Sequence, residues 1–585
     1  MDISGVKINN TTYKLAAFAD DILLFLTNPI ITIPNLLKDF SMFRTISNFK
    51  INFSKSKALN ISLSTDTVNQ CKLNFPFTWE NESIPYLGIH LPSNMDNLYT
   101  INFVPLLNTI KKDLLEWNKG IFSWFGRANV IKMCILPKVL YLFQTIPITI
   151  PATFFKSLNR VCLKFIWNDR QPRIKWDKLT IPKSLGGIGL PDFKNYYWAC
   201  HMSRIINWHL HSGSKDWIQL EESLISPPIP LKNLPWIDPR KVPHLANTHP
   251  ITGTSLKIFR SLCKKFKISS IYGPITPISF NPEISRKHHI ITSPDLDSDT
   301  TCRAEAFFEK GNLISLVHFS AKFPNLTVSP HNFELITLFL KKFGFTNIWH
   351  RPKTTFESVC IGKAPQGHLI SLMYCVLSST SDPQSDNTNK KWERDLRITI
   401  SNDQWTSVFH RLHKGSLNVL IQENSYKIYS RWYKTPYIIN KFSPNVSPLC
   451  WRCGLEAGTL LHIWWECSAI TTFWKSVHDL IVSITTYTPD FTAGQYLLHL
   501  SSLPNSVYKK SIIVFLINAA KLCIPVKWSQ ATPPKISEWI RKVDHIAYME
   551  ELISHSRDSS RNFRDKWACW HHFADSSEYR TLLDS

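Results

Sequence analysis

Residues 13–29, "YKLAAFADDILLFLTNP", set Asp20 and Asp21 side by side between two short apolar runs. Burying a carboxylate pair is costly unless a positive group meets it. "YKLAAF" and "ILLFL" are short, apolar and bounded by turn residues, so they read as strands, with "ADD" as the turn between them. The second run is apolar throughout and is expected to lie buried in a sheet, whose rigidity would fix the carboxylates. Such a hairpin presents oxygen ligands to Mg2+, which is commonly held by one or two carboxylates plus substrate phosphates. In two-metal phosphoryl transfer, one ion activates the attacking hydroxyl and the other stabilises the leaving oxygens. The plainer alternative is turn chemistry, since Asp tolerates turn conformations.

Outward from this hairpin, "GVKI" (5–8) and "IPYLGIHL" (84–91) read as further strands. "NLLKDFSMFRTIS" (35–47) places apolar residues at 36, 37, 40, 43 and 46, a helical period. From about residue 96 to 212 the pattern turns helical, with Pro105, Pro137, Pro147, Pro151 and Pro191 as punctuation. The clearest helix runs from Ala152 to Trp167. Phe154, Leu158, Val161 and Phe165 share one face, and Lys156, Arg160 and Lys164 line the other at i,i+4 spacing. Like charges so spaced disfavour a bare helix slightly and become an asset along a phosphate backbone. The alternative is a solvated face. Residues 213–300, which include "ISPPIPLKNLPWIDPRKVPHLANTHP", read as a loose connector with short helices, and "SSTSDPQSDNTNKK" (378–391) as a second linker. Helices are expected over about 402–438 and again beyond a cysteine cluster near 450. The fold class is α+β.

Of the 585 residues, 44% are hydrophobic and 19% charged, which suits large buried cores and argues against global disorder. The net charge of +23 calls for an anionic partner, nucleic acid before membrane. The opening "MDISGVKINNTTYK" is no secretory signal. The nearest approach to a membrane span, "SIIVFLINAAKLCIPV" (511–526), is interrupted by Lys521. Thirteen cysteines without framework spacing fit reduced thiols in cytoplasm or nucleus, plus one metal site.

"FADDILLFL" resembles the aromatic-x-Asp-Asp motif of reverse transcriptases, in the form found in non-LTR (long interspersed element) retrotransposons, with Phe18 at the aromatic position. "SNFKINFSKSKAL" (47–59) looks like the next palm motif, commonly Ser-Gly-Leu-Lys-x-Asn and then a lysine. Lys55 matches that lysine, implied to assist the pyrophosphate leaving group. Asn48 stands where the family often has Gly, and Asn tolerates positive φ. "YLGIHL" (86–91) resembles the primer-grip hairpin, and "SWFGRANVIKMCILPKVLYLFQTIP" and "GGIGLPDFKNYYWACHMSRIINW" resemble the thumb and the segment after it. The resemblance implies an incomplete polymerase palm over 1–95, with Asp20, Asp21 and Lys55 as catalytic residues and Mg2+ on the two aspartates. It further implies a thumb-like helical domain over 96–212, a connector over 213–390, a basic and aromatic segment with a Cys/His motif over 391–480, and a helical tail over 481–585. The family palm takes a third carboxylate from an earlier strand. The only acid before the pair here is Asp2, so the chain is expected to be a fragment that is inactive alone.

"CWRCGLEAGTLLHIWWEC" spaces Cys450-x2-Cys453-x8-His462-x4-Cys467, four soft ligands that suit tetrahedral Zn2+. Cysteines packed as small hydrophobes are the alternative. The motif is similar to the C-terminal Cys/His segment of the same family. Just before it, residues 422–436 interleave Tyr426, Lys427, Tyr429, Arg431, Trp432, Tyr433 and Lys434. Bases stack on aromatic faces while Lys and Arg neutralise phosphates, or the aromatics are core. "SLGGIGL" (184–190) reads as a turn, and "WHHFAD" (570–575) as surface histidines. The expected partners are RNA and DNA, including the element's own RNA in a ribonucleoprotein. The other readings are a non-catalytic nucleic-acid-binding module and a relic without function.

Overall fold

The computed structural model describes residues 3–9, 11–211, 215–225, 229–266, 272–284, 303–342, 352–362, 368–379, 387–414, 418–501, 512–556 and 560–584. Asp2, the last part of the expected 213–300 connector and half of the expected 378–391 linker lie outside them.

The described chain is a mixed α+β structure, mostly helical, with small sheets. Each sheet among the described residues is a two-stranded ladder, so the single small sheet expected of residues 1–95 is instead a set of separate pairs. Val6–Ile8 pairs with Thr11–Tyr13, Leu15–Phe18 with Asp21–Leu24 and Ser83–Tyr86 with Ile89–Pro92, all antiparallel. Lys57–Leu59 pairs with Thr78–Glu80 in parallel. The local reason is that each hairpin closes on its own short turn.

The chain divides into two compact units. One comprises Met1–Asp113, Ile135–Leu158 and Asp192–Thr380; the other comprises Leu114–Cys134, Asn159–Pro191 and Ser381–Ser585. The two units alternate along the chain, so residues 96–212 contribute to both.

In the first unit, the helix Pro29–Ser47 extends six residues upstream of its expected start, with Pro29 in the first turn, where the missing N–H costs nothing. Asn48 caps its C-terminus at φ 62, the left-handed conformation its side chain tolerates. Residues 84–91, one strand by pattern, fold as a hairpin around Leu87 (φ 46) and Gly88 (φ 79). Two consecutive positive φ values match the twist of the flanking strands, and the Tyr141 hydroxyl donates to the Leu87 carbonyl. The Asn102 amide, buried on the helix Leu98–Trp117, accepts from His90 N–H (2.8 Å) and donates to His90 C=O (2.9 Å). It thereby serves both outer polar groups of that residue. Asn102→Ala removes both bonds, at about 0.5–1.5 kcal/mol each, and is expected to lower the melting temperature of this unit by a few degrees in a thermal scan. The same helix runs through Pro105, which does not punctuate it.

The Pro-rich stretch after residue 213 is no loose connector where it is described. Leu231–Trp236 forms a 3-10 turn that buries Leu231, Leu234 and Trp236 against Trp208, Phe259 and Phe356. Its apolar residues lack helical periodicity because 3-10 and extended backbone carry them inward instead.

In the second unit, Trp392, Trp405, Phe409, Tyr426 and Tyr429 form one aromatic core with Trp124 and Phe125. Trp464, Trp474, Tyr496, Trp539 and Trp567 are also buried there. The "SLGGIGL" stretch is a turn, with Gly186 at φ 87 and Gly189 at φ 64. A Cβ on Gly187 would collide with the Ile181 carbonyl. His571 and His572 are exposed on the helix Ser560–Ala574, as expected of surface residues. No helix among the described residues is long and apolar enough to cross a membrane.

Candidate metal centre

Cys450, Cys453, His462 and Cys467 converge in the second unit, with ligand atoms all within 4.8 Å of one another. They form the one such group of three or more potential metal ligands among the described residues. Cys450 follows an isolated antiparallel bridge between Leu449 and Ala457, and its N–H donates to the Glu456 carbonyl (2.8 Å). Gly454, at φ 65, closes the turn by donating to the Cys450 carbonyl (2.9 Å). Gly458 makes room instead, since a Cβ there would stand 2.6 Å from the Pro436 ring.

The second pair depends on a π-helical turn, His462–Glu466. In an α-helix, residues five apart point about 140° away from each other. Here the Cys467 N–H donates to the His462 carbonyl (3.0 Å), an i→i+5 bond that widens the turn and brings both side chains to one side. Cys467 is also the N-cap of the helix Ser468–Thr485, so its sulfur sits at the positive end of that helix dipole.

Two of the six ligand separations match the edges of a tetrahedron. Zn–S bonds of ~2.3 Å and Zn–N bonds of ~2.0–2.1 Å imply S···S edges of about 3.8 Å and S···N edges of about 3.6 Å. Cys450 Sγ and Cys467 Sγ are 3.8 Å apart, and Cys453 Sγ lies 3.4 Å from His462 Nε2. The His462 Nδ1 is 3.1 Å from a Glu456 carboxylate oxygen, off the line a hydrogen bond needs. Glu456 is therefore near the nitrogen that a ligand's outer partner takes without holding it by an aligned hydrogen bond. Three thiolates around a dication leave one net negative charge. The Arg452 guanidinium, between the two cysteines of the first pair, supplies a positive one. Burial lowers its pKa, while Cys450 and Cys467 raise it, and it is fixed by donating to the carbonyls of Ile463 (3.0 Å) and Lys527 (3.4 Å). Backbone N–H groups of Glu456 and Leu455, together with His462 and Cys450, draw the Cys453 thiol down to about 6, while burial pushes Cys450 up to about 11. This group can hold a metal such as zinc. Glu456 and Arg452 are not singled out by the motif spacing. Their one signal in the sequence is charge inside an otherwise apolar Cys/His loop.

The other expected site residues are not brought together. Asp20 lies in the two-residue turn after Ala19 (φ 52), and Asp21 opens the second strand, paired with Phe18. Both are exposed. The strand expected to be buried is not, since Ile22 is 48% exposed and its neighbours Leu15 and Phe18 are 62% and 64% exposed. The aspartates therefore keep their hydration and need no counter-charge. Lys55 is exposed too, in a turn where its backbone N–H bonds to Asn52.

On the helix Ala152–Ile166, Lys156, Arg160 and Lys164 are all exposed, opposite buried Phe154, Leu158 and Phe165. The segment 422–436 is different. Tyr426 is 2% exposed between Trp124 and Phe125, so no base can stack on it. Lys427 pairs with Glu423 (2.6 Å) and Arg431 pairs with Asp395. Trp432 has Arg173 4.0 Å and Lys427 4.8 Å from its ring centre. Lys434 alone of the five is exposed. The physical reason is geometric: this stretch ends the helix Val419–Tyr429, and its aromatics close the core. No family model matches the chain.

Proposed function

We propose that the chain binds nucleic acid, and that it belongs to the reverse transcriptases of non-LTR retrotransposons, with its Cys/His centre holding structural Zn2+. The observation that carries the binding reading is the helix Ala152–Ile166. One face is buried, while Lys156, Arg160 and Lys164 stand exposed in a row. Among the described residues only Lys164 of the three has a carboxylate in ion-pair reach (Asp169, 3.9 Å), and a polyanion relieves the rest of the charge. The net charge of +23 supports it. The family reading rests on the ordered motifs, above all Phe18-Ala19-Asp20-Asp21 at a hairpin turn followed by Asn48 and Lys55. In an assembled polymerase centre, Asp20 and Asp21 take Mg2+. The polypeptide on its own is expected to copy no template, because among the described residues no third carboxylate stands with the exposed aspartate pair. Its partners are RNA and DNA, the element's own RNA among them, in cytoplasm or nucleus.

Fluorescence anisotropy with labelled RNA and DNA tests this. Affinity is expected to fall steeply between ~50 and ~200 mM salt. Lys156→Glu/Arg160→Glu/Lys164→Glu should flatten the salt dependence by about one unit of slope per residue, while Asp20→Ala leaves binding unchanged. Wild-type protein that binds nothing at low salt, or a triple variant that binds as wild type does, overturns the binding reading. Primer extension by the chain alone overturns the account of the aspartates.

A further inference from the structure

An open cavity of about 200 Å³ lies wholly within the first unit and shares no residue with the metal centre or the aspartate hairpin. Ile150, Phe155, Tyr197 and Ile258 line it with apolar surface, and Lys194 and Lys257 line its edge. Phe155 and Tyr197 are buried, and Tyr197 is fixed by donating its hydroxyl to the Ile148 carbonyl (2.7 Å). The two lysines are exposed. Beside them, the Trp198 ring holds the Lys194 ammonium 4.7 Å and the Lys265 ammonium 5.4 Å from its centre. Two cations, Lys194 and Lys257, thus line an aromatic-walled hollow, and no carboxylate is among the residues that line it. Like charges gathered at an apolar mouth repel one another unless an anion joins them.

From this geometry we infer that the cavity takes one unpaired nucleobase of a single-stranded nucleic acid, with the flanking phosphates on Lys194 and Lys257. The inference rests on the nucleic-acid reading above and adds a subsite to it. Its volume is below that of pockets for drug-sized ligands and suits a single flat ring system. Apolar and aromatic walls bury the faces of any base, and lysines neutralise the backbone. A duplex does not fit, because its bases are already stacked and must first be flipped out.

The test compares the full chain with Ile258→Trp, which fills the hollow without altering charge, and with Lys194→Glu/Lys257→Glu, which reverses two exposed edge charges. A short labelled oligo-dT is expected to bind more tightly than the matching duplex. Ile258→Trp should weaken oligo-dT binding about 5- to 100-fold, the effect of one stacked base, and leave the salt slope unchanged. The double lysine variant should lower that slope by about two. Circular dichroism melts verify that each variant folds, and the lysine pair, being exposed, tests the subsite even if Ile258→Trp does not fold. Wild-type binding with both variants unchanged overturns the cavity while leaving the nucleic-acid reading standing. Wild-type protein that binds no strand overturns both. Competition by dTMP as strong as by the strand, nucleotide for nucleotide, overturns the strand in favour of a free nucleotide.

Discussion

Purified without chelators, the protein is expected to carry one zinc ion per chain, and Cys467→Ala is expected to lose it. The four ligand atoms already lie within 4.8 Å of one another, two of their pairs at tetrahedral edge lengths, so only local reorganisation opposes binding. Structural zinc contributes folding energy directly; in finger peptides, apparent binding reaches ~10–16 kcal/mol. Here the ligands join the loop around Cys450 and Cys453 to the helix Ser468–Thr485, within a unit that has its own tryptophan core. Metal loss should therefore loosen the loop and lower the melting temperature rather than abolish folding. In a unit of this size each ~1 kcal/mol lost is worth about 2–4 °C. A fall of about ten degrees or more, on chelation or in Cys467→Ala, is the expected outcome of a thermal scan paired with metal analysis. A metal-free protein whose melt does not respond to Cys467→Ala would show the cysteines to be packing residues.

The parts of this architecture that local chemistry determines are readable from the chain itself. Ala152–Ile166 shows its helical period because both its faces are patterned, apolar inward and cationic outward. Asn48 betrays its left-handed φ because few other residues tolerate it. The Cys/His spacing announces a site because soft ligands seldom cluster without purpose. What is not readable depends on partners distant in sequence. "ILLFL" looks buried, yet a two-stranded ladder leaves both its faces open, and Ile22 stays exposed. Tyr426 looks like a stacking platform, and only the approach of Trp124 and Phe125, from far earlier in the chain, makes it core. The π-turn at His462 is invisible to a period count, because one widened turn does not shift the pattern around it. Leu231–Trp236 defeats periodicity altogether, since irregular backbone buries its apolar residues without any repeat.

Lys521→Met is expected to stabilise the protein at neutral pH and to remove much of the rise in stability between about pH 7 and 10. Lys521 interrupts the apolar run 511–526 in the sequence, and on the helix Ile513–Val526 it is fully buried. Its ammonium lies 3.2 Å from the Ser425 hydroxyl and 3.0 Å from His499 Nε2; no carboxylate is among these hydrogen-bond partners. Burial lowers its pKa from 10.5 to about 7. The sign follows. Between about 7 and 10.5 the folded chain holds fewer protons than the unfolded one, so stability climbs with pH through that window and is lost as pH falls toward 7. A shift of this size corresponds to several kcal/mol, to within an order of magnitude. His499, also buried and next to the charges of Lys521 and Arg411, has its pKa held well below 6.5, which adds a second loss on acidification. Met fills nearly the same volume without a charge, and replacing buried charge by apolar bulk is often neutral or stabilising. The remaining polar groups keep partners. Ser425 donates to Asn518 Oδ1 (3.1 Å), and His499 Nε2 lies 3.2 Å from the same oxygen, able to donate once its proton moves there. Lys132, which burial draws down to about 8, titrates in both proteins and cancels in the difference. Chemical denaturation of wild type and variant from about pH 7 to 10 should show the variant more stable at pH 7 and the gap closing as pH rises. Parallel profiles would mean that Lys521 keeps an ordinary proton affinity inside the fold.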